Sequence, residues 1–100
     1  MNIGGLYNET CKAFLGGKWG YLDTRGRLAI PHRYDEAGNF SENLAAVRIG
    51  AKWGYIDSAG EVVIQPGYDD AGEFRGGAAL VWIGSEYFLI DREARTRGKS

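Results

Sequence analysis

The chain has 100 residues, 44% of them hydrophobic and 25% charged, with a formal net charge of −1. That composition fits one ordinary globular domain or a short repeat array. Charges of both signs are interspersed, so no basic footprint for nucleic acid exists before the last nine residues. No run approaches the roughly 20 apolar residues of a membrane-crossing helix, and neither nucleic acid nor membrane is expected as a partner.

Sixteen glycines and thirteen aromatics predict tight turns between short strands that carry flat, bulky side chains. The start, "MNIGGLYNET", has neither the basic nor the apolar run of a secretory leader. If Met1 is the natural start, a cytoplasmic protein is expected. Cys11 is the single cysteine, which rules out an intrachain disulfide.

From residue 18 the chain repeats. Residues 18–51 align without a gap on 52–85, and 16 of 34 positions are identical. Lys18-Trp19-Gly20-Tyr21 returns as Lys52-Trp53-Gly54-Tyr55, and Asp23 and Gly26 return as Asp57 and Gly60. Tyr34-Asp35, Ala37-Gly38 and Phe40 return as Tyr68-Asp69, Ala71-Gly72 and Phe74. Residues 1–17 hold a trace of an earlier copy, since Leu15-Gly16 is in phase with Ile49-Gly50. Residues 86–100 hold a degenerate third copy, in which Asp91 keeps phase while Tyr87-Phe88 replaces Trp-Gly. The basic tail (Arg92, Arg95, Arg97, Lys99) reads as a solvated cap, because terminal repeats need a polar outer face.

Each copy predicts three strands. Leu44–Ile49 ends at Gly50-Ala51, where a leading glycine suits a type II′ hairpin turn. Lys52–Asp57 comes next, then the turn Asp57-Ser58-Ala59-Gly60, then Glu61–Ile64. Pro31 and Pro66 mark the strand exits. In the linker, Ala71 and Phe74 are three apart, which predicts one helical turn with an apolar side. The expected fold is all-β: three-stranded antiparallel meander repeats of about 34 residues, stacked as a short solenoid or barrel-like array in one folded domain.

Glycine weakens a strand interior unless something approaches its backbone closely. Side chains alternate along Lys52–Asp57, so Gly54 leaves bare backbone beside Trp53 and Tyr55. The expectation is a packing device, with an aromatic from a neighbouring strand or repeat lying over the glycine.

Motifs for chemistry are sparse. His32 is the only histidine, so any nucleophile–base pair must use it, and Cys11 is the one thiol to join it. Nothing near Cys11 in sequence lowers its pKa. No Cys/His spacing suits zinc and no acidic loop suits calcium. "TRGKS" lacks the upstream glycine and the strand-to-helix setting of a phosphate loop. Asp35-Glu36 and Asp69-Asp70 recur with the repeat, which suggests local Asx-type turn bonding instead of acid–base work. No enzyme, metal or cofactor is expected.

The pattern K-W-G-Y-[LI]-D-x-x-G, then Y-D-x-A, then Phe and A-x-V, resembles the bacterial WG-repeat family, also called KWG repeats. The resemblance covers about 18–91. Its signature falls on Trp19, Gly20, Tyr21, Asp23, Tyr34, Asp35 and Phe40, and again on Trp53, Gly54, Tyr55, Asp57, Tyr68, Asp69 and Phe74. It implies a small all-β repeat module without a catalytic role that mediates binding, with those residues as scaffold. The partner would then be read by positions that vary between copies. Trp82, which takes the place of Arg48, is the first candidate, with Arg48, Arg33 and His32 beside it. The expected partner is an unidentified protein or a second copy of the chain. One alternative is a choline- or glycan-type ligand held by the aromatic hairpins, which needs Trp19, Tyr21, Trp53 or Tyr55 exposed. Another is a structural or self-assembling scaffold.

Overall fold

The computed structural model describes residues 11–23 and 25–99, and their side chains except those of Cys11 and 97–99. Among the described residues there are eleven strands and no helix. They are β1 (Cys11–Leu15), β2 (Lys18–Leu22), β3 (Leu28–Tyr34), β4 (Glu36–Ala37), β5 (Leu44–Ile49), β6 (Lys52–Asp57), β7 (Val62–Tyr68), β8 (Asp70–Ala71), β9 (Ala79–Ile83), β10 (Glu86–Ile90) and β11 (Thr96–Lys99). They form three successive antiparallel sheets: β1-β2-β3, then β4-β5-β6-β7, then β8-β9-β10-β11. The sheets stay open and none closes into a barrel. The degenerate third copy therefore builds a full meander, and the expected three-stranded unit gains a two-residue fourth strand in the second and third sheets.

Strand alternation divides each middle strand between two cores. Ala45, Val47 and Ile56 face back to meet Tyr21, Ile30, Tyr34, Ala37 and Phe40. Leu44, Ala46 and Tyr55 face forward to meet Ile64, Phe74, Ala79, Val81 and Ile90. The second core repeats the first at intervals of 34 residues, so a single face-to-face packing solution is used twice. Tyr21 meets Phe40 edge-on with ring centroids 4.9 Å apart, and Tyr55 meets Phe74 in the same way at 4.9 Å. Such pairs add about 0.5–1.5 kcal/mol beyond their buried area.

The approach at the Trp-Gly glycines is made by backbone, not by an aromatic ring. Trp19 pairs with Tyr34 and Tyr21 pairs with Ile30, so three residues of β3 lie opposite Gly20 alone. Trp53 with Tyr68 and Tyr55 with Ile64 repeat the pattern around Gly54. The edge strand carries two extra residues and bulges over the glycine. A Cβ on Gly20 would lie 2.6 Å from the Ile30 carbonyl oxygen and 2.8 Å from the His32 nitrogen. On Gly54 it would strike the Ile64 carbonyl oxygen and lie 2.7 Å from the Pro66 nitrogen.

The bulge explains the prolines. Pro31 and Pro66 do not end their strands; they lie inside β3 and β7. Both are edge strands, the one place in a sheet where proline is tolerated. The one-residue difference in phase between them is absorbed within the extra residues.

Beyond the bulge the edge strand leaves its sheet. Tyr34 still pairs with β2, whereas Glu36 and Ala37 pair with Arg48 and Val47 of the next sheet. The linker is therefore extended and does not form the expected helical turn. Gly38 N–H donates to Ala46 O at 2.7 Å and Gly72 N–H to Leu80 O at 2.8 Å. Backbone groups committed to a neighbouring strand cannot also close a helical turn.

The predicted turns form. Gly26 and Gly60 take φ of +81° and +85°, and Gly60 N–H returns to Asp57 O at 2.9 Å. At the hairpin tip, Gly50 has φ of +67° while Ala51 is not in the positive region, as a type II′ turn requires.

Gly54→Ala forces atoms into backbone and is expected to cost about 1–3 kcal/mol or more. Gly67→Ala, whose Cβ meets only the Gln65 carbonyl oxygen at 3.8 Å, is expected to be near neutral. Urea unfolding of the two variants checks this; equal midpoints would contradict the backbone contact at Gly54.

Candidate functional site

The tyrosines of the repeat are scaffold. Tyr21 and Tyr55 are buried, and each hydroxyl donates to a linker carbonyl, Gly38 O and Gly72 O, at 2.7 Å. Burial pushes both hydroxyls well above the ordinary tyrosine range. Neither ring is open to a ligand. Trp19 and Trp53 are half-buried and pack against the edges of the two cores.

The first aspartate of the recurring acidic pair is a junction clamp and not a local Asx turn, whereas Asp70 bonds locally, accepting the Ala71 N–H at 2.9 Å. Asp35 Oδ1 accepts Lys18 Nζ of the first sheet at 2.5 Å, and Asp35 Oδ2 accepts the Gly50 N–H of the second sheet's hairpin tip at 2.6 Å. Asp69 does the same with Lys52 at 2.6 Å and Gly84 N–H at 2.7 Å. The lysine bond first, and the tip N–H second, hold both carboxyls below the usual aspartate range. The Asx geometry belongs to the other in-phase aspartates. Asp23, Asp57 and Asp91 each accept two backbone N–H groups of the adjoining turn.

The second and third sheets share one more staple. Glu42 accepts the N–H groups of Gly76 and Gly77, Ser41 Oγ donates to Phe74 O at 2.7 Å, and Arg92 donates to Glu42 O at 2.7 Å.

The candidate contact residues do not converge on one site. Arg48 is engaged locally, donating to Gly50 O at 2.6 Å and lying 3.5 Å from Glu36. Arg33 is exposed and His32 half-buried in the β3 bulge. Trp82 is half-buried on β9, its ring 6.5 Å from that of Tyr87. The pairing of His32 with a Cys11 thiol lies outside the described residues, as does the N-terminal segment 1–10. Among the described residues no three His, Cys, Asp or Glu side chains group as metal ligands do.

One surface does not stand out from sequence. Leu15, Ile49 and Ile83 stand at the same place in β1, β5 and β9, one residue before the hairpin turn. They are 67%, 42% and 48% exposed. Phe14, itself exposed, packs on Trp19 beside the first of them at 5.1 Å. Each sheet thus carries an exposed aliphatic residue at its hairpin tip. The available signal is an aliphatic residue recurring before each Gly, but recurrence alone does not separate core from surface.

The model of the WG containing repeat matches residues 19–53 and 53–87. The chain belongs to the WG-repeat family. No curated protein and no solved structure matches it. In this chain the Trp-Gly pair of a WG repeat is an aromatic at the core edge beside a glycine roofed by backbone.

The junction clamps contribute to the acid response, together with Asp23 and Asp91, whose carboxyls are held low chiefly by the backbone N–H groups of Arg27 and Arg95. A carboxyl held lower in the folded than in the unfolded chain stabilises the fold above the unfolded value, about 3.9. That contribution is lost as pH falls through the folded value. Stability is expected to decline below about pH 4. Asp35→Asn/Asp69→Asn should lower stability at pH 7 and show a shallower acid decline, read by denaturant unfolding at each pH. An unchanged acid profile would contradict the clamp.

Proposed function

We propose that this WG-repeat chain is a non-catalytic protein-binding module whose contact surface is the row of hairpin tips. The observation that carries this reading is the in-phase exposure of Leu15, Ile49 and Ile83. Single exposed aliphatics are common on soluble proteins. Three at one position of three successive sheets form a series, and none of them belongs to either core among the described residues. Stacked sheets lie about 10 Å apart, so the row spans on the order of 20 Å. An extended segment of about six residues covers that length, so a strand or loop of a partner protein suits it.

Strand addition at the edges β3 and β7 is disfavoured, because both are blunted by bulges and proline, common guards against it. The aromatic-cage alternative is weakened by the burial of Tyr21 and Tyr55.

The test uses immobilised wild-type chain and the triple variant Leu15→Ser/Ile49→Ser/Ile83→Ser. Captured proteins are identified, purified and titrated against both forms. Each buried aliphatic side chain contributes about 1.5–3 kcal/mol, so the triple variant is expected to bind more than tenfold more weakly while its unfolding midpoint stays close to wild type. A purified partner that binds both forms equally would contradict the tip surface. Failure to find any directly binding protein would contradict the protein-binding reading.

A further inference from the structure

Leu15, Ile49 and Ile83 end β1, β5 and β9, and each stands directly before a two-residue turn. The last core side chains before the second and third turns are Val47 and Val81, two residues back. The cores and the tyrosine hydroxyls join sheet to sheet further inside. They do not reach the tips, so the spacing of the tips has to be set by something else.

Each junction has a link that runs from one tip to the next. Lys18 begins β2 directly after the first turn, and Gly50 opens the second turn. Asp35 takes Lys18 Nζ on Oδ1 and the Gly50 N–H on Oδ2. Lys52 begins β6 directly after the second turn, and Gly84 opens the third. Asp69 takes Lys52 Nζ and the Gly84 N–H in the same way. The second tip is therefore held from two sides, at Gly50 by Asp35 and at Lys52 by Asp69.

The aspartates are themselves firmly mounted. The Asp35 N–H donates to Arg48 O at 2.8 Å and the Asp69 N–H to Trp82 O at 2.8 Å, each on the strand residue just before the exposed aliphatic. A carboxylate is an acceptor on both oxygens, so it takes a cation and an N–H at once. Asparagine has one oxygen and one NH2 group. Whichever way its amide turns, a donor faces either the lysine ammonium or the N–H of the turn.

We propose that Asp35 and Asp69 are positioning residues of the contact surface: each carboxylate bridges two consecutive hairpin tips and fixes the spacing at which Leu15, Ile49 and Ile83 meet a partner. The inference rests on the reading of the tips as that surface. A row placed before the partner arrives lowers the ordering cost of binding. It also selects partners whose apolar side chains match its spacing, about 10 Å from sheet to sheet. Both aspartates touch the partner only through the tips they hold.

The test measures spacing in the full chain, without a partner. Cys11→Ser, Ala51→Cys and Ser85→Cys place spin labels at the same position of the second and third turns and leave Ile49 and Ile83 in place. Pulsed dipolar spectroscopy then gives the distance distribution between the tips. A narrow distribution is expected in this background, and its loss is expected on adding Asp69→Asn. Lys52→Gln/Asp69→Asn should regain the narrow distribution, because the glutamine oxygen accepts the asparagine NH2 while the asparagine oxygen keeps the Gly84 N–H. That rescue separates a lost clamp from a lost fold. A lower unfolding midpoint in Asp69→Asn with an unchanged distribution is the result of a purely stabilising clamp; it overturns the proposal and leaves the tip surface standing. A double variant that stays broad also overturns it. A partner that binds wild type and Leu15→Ser/Ile49→Ser/Ile83→Ser equally overturns the contact surface itself, and this inference with it, whatever the spacing does.

Discussion

The backbone contact over Gly20 and Gly54 is the constraint on which the rest of the array depends. Two extra residues in the edge strand have to go somewhere, and the missing Cβ is where they go. The bulge turns the strand out of its own sheet, so that Tyr34 closes one sheet and Glu36 opens the next. That turn places the linker's apolar Ala37 and Phe40 in the first core, the tyrosine hydroxyl on Gly38 O, and the aspartate clamp on the next hairpin tip. The tryptophan beside the glycine sits at the rim of the core, next to the point of exit.

Much of this is legible in the sequence, because the repeat exposes its own boundaries. Strands β5 and β6 follow from composition and alternation, and their tight turn follows from Gly50. The third strand runs further than its sequence suggests. Proline looks like a strand exit, but on an edge with a bulge it is compatible with continued pairing, and nothing local in "IQPGYDD" announces the two extra residues. The expected helical turn fails because Ala71 and Phe74 are three apart for another reason: Phe74 reaches Tyr55 from an extended linker pinned by Gly72 N–H. The partners of the Asp35 carboxylate have no local mark at all, since Lys18 and Gly50 come to it from two different sheets.

The scaffold and the contact surface draw on different residues. Signature side chains that repeat between copies are mostly spent on cores, turns and clamps: Tyr21, Phe40, Asp23 and Asp35 each have an internal partner. The proposed contact surface is an aliphatic row at the hairpin tips. It does not stand out by residue type, and it emerges once the sheets are stacked and the same position can be compared across three units.

Cross-strand NOEs in the folded chain measure most directly the register beside the Trp-Gly glycine, on which the whole account rests. The expected NOEs join Trp53 to Tyr68 and Tyr55 to Ile64, with Trp19 to Tyr34 and Tyr21 to Ile30 in the first sheet. An uninterrupted ladder would instead continue from Tyr55–Ile64 to place Trp53 opposite Pro66. Finding that contact would mean that no backbone roofs the glycine, and that the strand crosses to the next sheet by some other means.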